Sequence, residues 1–248
     1  MNVLLPPDGR GRVLLEHTVI LHSQPYRESS LFVDVISQNH GRIRLLGKGV
    51  KRGKHPLSQV LRPFANVRLS WTGCSDLPLL TAAESVGQMP ALMGEALFCG
   101  FYVNELLLYL LPLQDPQPEV YCLYLDVLDQ LVLGRCLQTT LRFFELSLLT
   151  AIGYGPQLEY DTSGSPIDPA KTYRYLVGEG ANLVEPGQHA AIAGATLLGL
   201  SRRCLTHESQ LREAKHLLRS IIQYHLNGRP LRSRELFKPF SRGLSHES

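Results

Sequence analysis

Apolar and polar positions follow two different periods along this chain. The first 85 residues read as strands. Val13 to Leu21 is apolar and β-branched. Ser30 to Ser37 alternates, with Leu31, Val33 and Val35 on one side and Phe32, Asp34 and Ile36 on the other. Asn39-His40-Gly41 is a turn signal, and Gly41 suits a positive φ. Arg42 to Lys48 follows as a third strand, then a Gly/Lys-rich loop from Gly47 to His55. Val60 to Trp71 and Leu77 to Glu84 are two further strands, parted by Thr72-Gly73. Five short strands with turn residues between them predict a small barrel of the OB-fold type, a fold that commonly binds single strands.

After Pro90 the period lengthens. Ala91 to Leu111 is long and apolar with no internal proline. Val120 to Leu133 spaces Leu123, Val127, Leu128 and Leu131 as a helix does, and Leu137 to Ile152 is similar, stopping at Gly153. Pro112, Pro116 and Pro118 mark a loop between the first two helices. Tyr154 to Pro186 is punctuated by Gly and Pro and reads as an irregular insert with a short hairpin around Tyr173 to Val177. Gln188 to Leu200 and Gln210 to Leu226 are helical again, with Ser209 as a candidate cap and Asn227-Gly228 and Pro230 as the stop. The fold class is therefore α+β: a five-stranded OB-fold barrel over residues 1–85, expected to bind DNA, followed by a mainly helical domain over 86–248 with an irregular insert at about 154–186.

Composition narrows the class. Of 248 residues 44% are hydrophobic and 19% charged, which describes a folded chain. No apolar run approaches the roughly 18 to 20 residues of a membrane span. Met1 to Arg12 carries Asp8 and two prolines, unlike a signal peptide, so the expected compartment is the cytoplasm. The five cysteines, Cys74, Cys99, Cys122, Cys136 and Cys204, form no CxxC pair. They read as small buried hydrophobes, with no metal and no other cofactor.

Charge is unevenly spread. Residues 1–82 hold 11 Lys+Arg against 5 Asp+Glu, residues 83–200 hold 4 against 13, and residues 201–248 hold 10 against 4. Basic ends around an acidic middle point to a polyanion partner or to a solvated surface. The densest cluster is Arg42, Arg44, Lys48, Lys51, Arg52 and Lys54: six cations in thirteen positions with no acid among them. Alternation places Arg42, Arg44 and Lys48 on one face and Ile43 and Leu45 on the other. Such a cluster can neutralise several phosphates. Tyr26, Phe32, Phe64 and Trp71 are candidates for base stacking, although Phe32 and Phe64 suit the core better. The tail repeats the theme. Arg202, Arg203, Arg212, Lys215 and Arg219 lie on or before the last helix, and Arg229, Arg232, Arg234, Lys238 and Arg242 follow it.

Catalytic signatures are missing. The chain has no GxSxG, P-loop, HExxH or strand-borne GxGxxG, its acids are dispersed, and its nine histidines show no ligand spacing. An enzyme is not expected. Arg142 stands apart, among Leu141, Phe143, Phe144, Leu146 and Leu148. An arginine beside an apolar groove can take a terminal carboxylate, or it can pair internally with Glu145 or Glu105.

Several stretches resemble the RecO family of bacterial recombination and repair proteins. These are Val19 to Arg52, Leu61 to Ser85, Phe101 to Leu111, Leu141 to Gly155, Thr172 to Tyr175 and Gly228 to Phe237. The resemblance implies an OB-fold and a helical domain. It also implies a non-enzymatic mediator that binds single- and double-stranded DNA and anneals complementary strands. With RecR, such a mediator helps RecA replace single-stranded-DNA-binding protein (SSB). Family members contact the acidic, Phe-ending tail of SSB, and Arg142 is the position that the matching segment assigns to that contact. Some relatives hold a four-cysteine zinc motif, but Tyr154 to Tyr175 contains no cysteine. Zinc is therefore not expected, and packing alone is left to hold the insert. The alternative function is a non-catalytic adaptor that binds acidic protein tails with little direct DNA role.

Overall fold

Five strands close into a barrel in the order β1-β2-β3-β5-β4. They are β1 (Arg12–Tyr26), β2 (Ser30–Ser37), β3 (Gly41–Gly47), β4 (Asn66–Thr72) and β5 (Leu79–Ser85). The computed structural model describes residues 11–50, 60–184 and 191–233. All neighbours are antiparallel except β3 and β5, which meet in parallel at Leu46 and Leu79. This is the OB-fold arrangement expected from the strand pattern. Ile20, Val33, Val35, Ile43, Leu45, Val67, Leu69, Trp71 and Leu80 fill its core.

The helices are α1 (Gly94–Leu110), α2 (Pro118–Leu133), α3 (Leu137–Ala151), α4 (Gly194–Ser201) and α5 (Glu208–His225). A small sheet, ordered β7-β6-β8, is built from β6 (Thr172–Leu176), β7 (Gly180–Val184) and β8 (Ala191–Ala193). The chain divides into two compact units, Met1–Val132 and Leu133–Ser248, so α1 and α2 group with the barrel.

In the first unit α1 packs on β1. The side-chain amide of Asn104 donates to the Leu21 carbonyl at 2.8 Å, and the Tyr124 hydroxyl donates to Asn104 Oδ1 at 2.6 Å. Burial pushes the Tyr124 hydroxyl far above its ordinary pKa. In the second unit α5 packs on both α3 and α4. Its buried stripe is Ala214, Leu217, Leu218, Ile221 and Ile222, spaced as an amphipathic helix requires.

Four sequence expectations need correction. Val60 to Trp71 is not one strand: Phe64 takes a left-handed φ of 71°, and pairing begins only at Asn66. Residues 191–193 are a strand rather than the start of a helix, because Tyr173 and its neighbours on β6 pair with them. At the start of α5, Ser209 does not cap. Gln210 Oε1 instead accepts the backbone N–H groups of Thr206 and His207. Of the cysteines only Cys99 is buried; Cys74, Cys122, Cys136 and Cys204 are exposed, since Cys74, Cys136 and Cys204 lie in connections between elements and Cys122 on an outward helix position.

The insert is held by more than packing. Leu158, Ile167 and Tyr173 are buried, and Asp161 Oδ1 accepts the N–H groups of Ser163 and Ser165 and the Ser163 hydroxyl. Those bonds lower the Asp161 pKa. Among the described residues no three His, Cys, Asp or Glu side chains gather as a metal site.

Candidate nucleic-acid interface

The outer face of β1, β2 and β3 is built in registered rows. Gln24, Phe32 and Leu46 form one row, and His22, Asp34 and Arg44 form the next. Core residues Val33 and Leu45 separate these rows on the inner face, as a two-residue period dictates. Arg44 is half exposed, and its Nε and Nη2 donate to the two oxygens of Asp34 at 2.9 and 3.0 Å. Two of its five donors are thereby used, and the guanidinium still faces water. Asp34 is 2% exposed, and Arg42 and His22 also approach it at 3.8 and 4.0 Å. The cation cluster that is free of acid along the chain thus receives one from the adjacent strand.

Arg42 is also held from the other side, by the segment after α1. Its Nε donates to the Leu111 carbonyl at 2.9 Å, and its own carbonyl accepts the Gln114 N–H. Burial lowers its pKa, against the attraction of Asp34. Next to it Gly41 has φ 68°, and a Cβ there would run into the Asp115 carbonyl. The segment after α1 therefore clasps the start of β3.

Lys48 is exposed just beyond β3. It borders an open cleft of about 720 Å³ with Tyr26, Arg27, Glu28, Ser30 and Leu46. Tyr26 and Phe32 lie 4.1 Å apart between ring centroids, and the Arg27 guanidinium sits 5.1 Å from the Tyr26 ring. Both rings are half-buried. Phe64 and Trp71 are closed to a ligand, at 4% exposed each. Of the four candidate stacking residues, then, two share the face with Arg44 and Lys48. Lys51, Arg52 and Lys54 lie outside the described residues, as do Arg234, Lys238 and Arg242.

The second unit places its cations differently. Arg212, Lys215 and Arg219 are exposed on α5, and Arg212 pairs with Glu208 at 3.9 Å. Arg229 and Arg232 are exposed just after the helix. Asn227 and Gly228 adopt φ of 50° and 76° and stop α5 as their residue types suggest. Arg142 is 5% exposed and donates from Nη2 to Glu145 Oε1 at 2.7 Å, one of the internal pairings its sequence allows. Its Nε, also buried, has no acceptor among the described residues. Sequence reasoning missed one aromatic group entirely. Tyr154 and His225 stack at 3.9 Å, and Tyr224 meets His225 edge-on at 5.2 Å.

No helix among the described residues is long and apolar enough to cross a membrane. A family model described as Recombination protein O N terminal matches residues 14–89, and one described as Recombination protein O C terminal matches residues 93–235. The DNA repair protein RecO of Methylococcus capsulatus (strain ATCC 33009 / NCIMB 11132 / Bath) is 46% identical over 244 residues, covering 96% of this chain and 100% of that protein. The DNA repair protein RecO of Nitrosococcus oceani is 42% identical over 93% of this chain and 95% of its own length. That of Azoarcus sp. (strain BH72) is 39% identical over 92% and 97%. With both halves matched in order and relatives aligned from end to end, the chain belongs to the RecO family.

Proposed function

We propose that this chain is a DNA repair and recombination mediator. It binds single- and double-stranded DNA, anneals complementary strands including SSB-coated ones, and with RecR assists RecA loading. It is not an enzyme, and it works in the cytoplasm on nucleoid DNA. The observation that carries this reading is the outer face of β2 and β3. There Arg44 and Lys48 border the Tyr26–Phe32 pair, on the strand face and first loop that OB-folds use for oligonucleotides. The cations screen phosphate, the rings offer a surface for bases, and sequence specificity comes from pairing between the two strands.

SSB's acidic tail is the second proposed partner, with Arg142 as its contact. The Arg142 guanidinium is 5% exposed and engaged by Glu145, so a tail carboxylate reaches it only where that pair opens, and the buried Nε without an acceptor among the described residues is the donor such an opening would release. Annealing of complementary strands pre-coated with SSB tests the whole proposal. Faster annealing that is lost when the SSB tail is removed is expected. Annealing of naked strands only would remove the tail contact, and no annealing at all would favour the adaptor.

A further inference from the structure

The aromatic group of the second unit has no part in the function argued so far. Tyr154 follows Gly153, whose φ of 81° turns the chain sharply out of α3. His225 is the last residue of α5. Because α3 and α5 pack together, the two ring planes meet at 11° with centroids 3.9 Å apart. A stack that merely secured two helix ends would account for these two residues. It would not account for Tyr224, which is 61% exposed and stands edge-on beside the stack, nor for Tyr154 keeping 47% of its surface in water. Burial of part of the imidazole favours its neutral form, which suits face-to-face packing. Immediately past the helix come two exposed arginines, Arg229 and Arg232.

Rings held in place by one another lose little freedom when a further ring is added, so they make an efficient stacking surface. Cations beside such a surface select a ligand that carries both flat rings and negative charge, and a single nucleic-acid strand has both. We propose that Tyr154, Tyr224 and His225 form a base-stacking platform for single-stranded nucleic acid on the second unit, with Arg229 and Arg232 engaging the phosphates. The platform rests on the function proposed above and extends it: an annealing protein must hold two strands, and each unit then carries a surface for one.

The test uses the full chain and fluorescence anisotropy with two labelled probes, an oligothymidylate and an abasic phosphodiester of the same length. Tyr224→Ala and Tyr154→Ala should each weaken oligothymidylate binding about tenfold, toward the low end of what base–aromatic stacking contributes. Abasic binding should stay unchanged, and Tyr224→Phe and Tyr154→Phe should keep the parent affinity. Alanine variants that match the parent on oligothymidylate, or that lose both probes equally, would overturn the platform alone. A parent chain that fails to bind oligothymidylate would overturn the platform and the proposed function together. If Tyr224→Ala loses an acidic, Phe-ended peptide while oligothymidylate affinity holds, the rings belong to a protein partner and the platform is wrong.

Discussion

The β2–β3 ribbon and helix α3 each pair an arginine with a buried carboxylate, and the two pairs differ in whether the arginine reaches water. On the ribbon the acid is closed off and the arginine is half in water: Asp34 has 3% of its side chain exposed and Arg44 has 47%. On α3 both partners are closed, Arg142 at 5% and Glu145 at 1%. Arg44 therefore keeps donors for a ligand while its acid fixes its orientation. Arg142 is turned inward onto Glu145 and offers a ligand nothing while that pair stays closed. Each arginine is flanked by apolar residues in the sequence, Arg44 by Ile43 and Leu45 and Arg142 by Leu141 and Phe143, and what separates the two cases is which partner the fold covers.

The comparison can be broken most severely at Arg142. Arg142→Ala leaves Glu145 buried without its arginine, and chemical denaturation should show a loss of about 3–5 kcal/mol. Adding Glu145→Ala should recover part of that loss. A single variant as stable as the parent would mean that the pair is not closed. Arg44→Gln comes next. Asp34 would lose two charge-assisted hydrogen bonds, but the exposure of Arg44 moderates the cost to about 1–2 kcal/mol. The same variant should weaken single-strand binding, which separates it from Arg142→Ala, for which naked-strand affinity should hold at temperatures where the variant is folded. Lys48→Gln sharpens the contrast further. Stability should stay within about 0.5 kcal/mol, while the slope of log affinity against log salt should fall by about 0.7 for a single strand. An unchanged slope would remove Lys48 from the interface.

The smallest effect concerns a carboxylate held without an arginine. Asp161 is bonded by serine N–H and O–H groups, so its pKa is lower in the folded chain than in the unfolded one. The depressed value means that its contribution is complete above the ordinary carboxylate range and is lost as pH falls through the lowered pKa. Amide exchange at Ser163 and Ser165 should accelerate over that acidic window in the parent. In Asp161→Asn it should be insensitive to pH there once intrinsic exchange is corrected. Equal pH responses in both would assign the loop's order to packing.

Legibility in the sequence followed the range of the forces involved. Ser30–Ser37 and the Arg42–Lys48 strand could be read because alternation is a local property, and α5 because its apolar stripe repeats within a few residues. Alternation assigned Asp34 to the face opposite Val33 and Val35, yet it carries no information on what covers that face, so the burial of Asp34 stayed hidden. The segment before Asn66 was misread because its apolar residues suit a strand while Phe64 adopts a left-handed turn. The strand at 191–193 owes its form to β6 rather than to its own three residues. Of the candidate interface, Arg44, Lys48, Tyr26 and Phe32 were legible from type and position. The stack of Tyr154 on His225 joins residues far apart in the chain, and no local pattern announces it.

The hydrogen bonds from Asn104 to Leu21 and from Tyr124 to Asn104 bear on how this molecule would yield to a protease. Cleavage between the barrel and α1 would strip a strand carbonyl of its donor and lay bare the apolar side of β1. The resulting small fragment should aggregate or be digested further. Cleavage near Val132 cuts none of these bonds. Limited digestion should accordingly accumulate a fragment that ends there, larger than the five strands alone, and that fragment is the smallest piece expected to keep the Arg44 face in its native form.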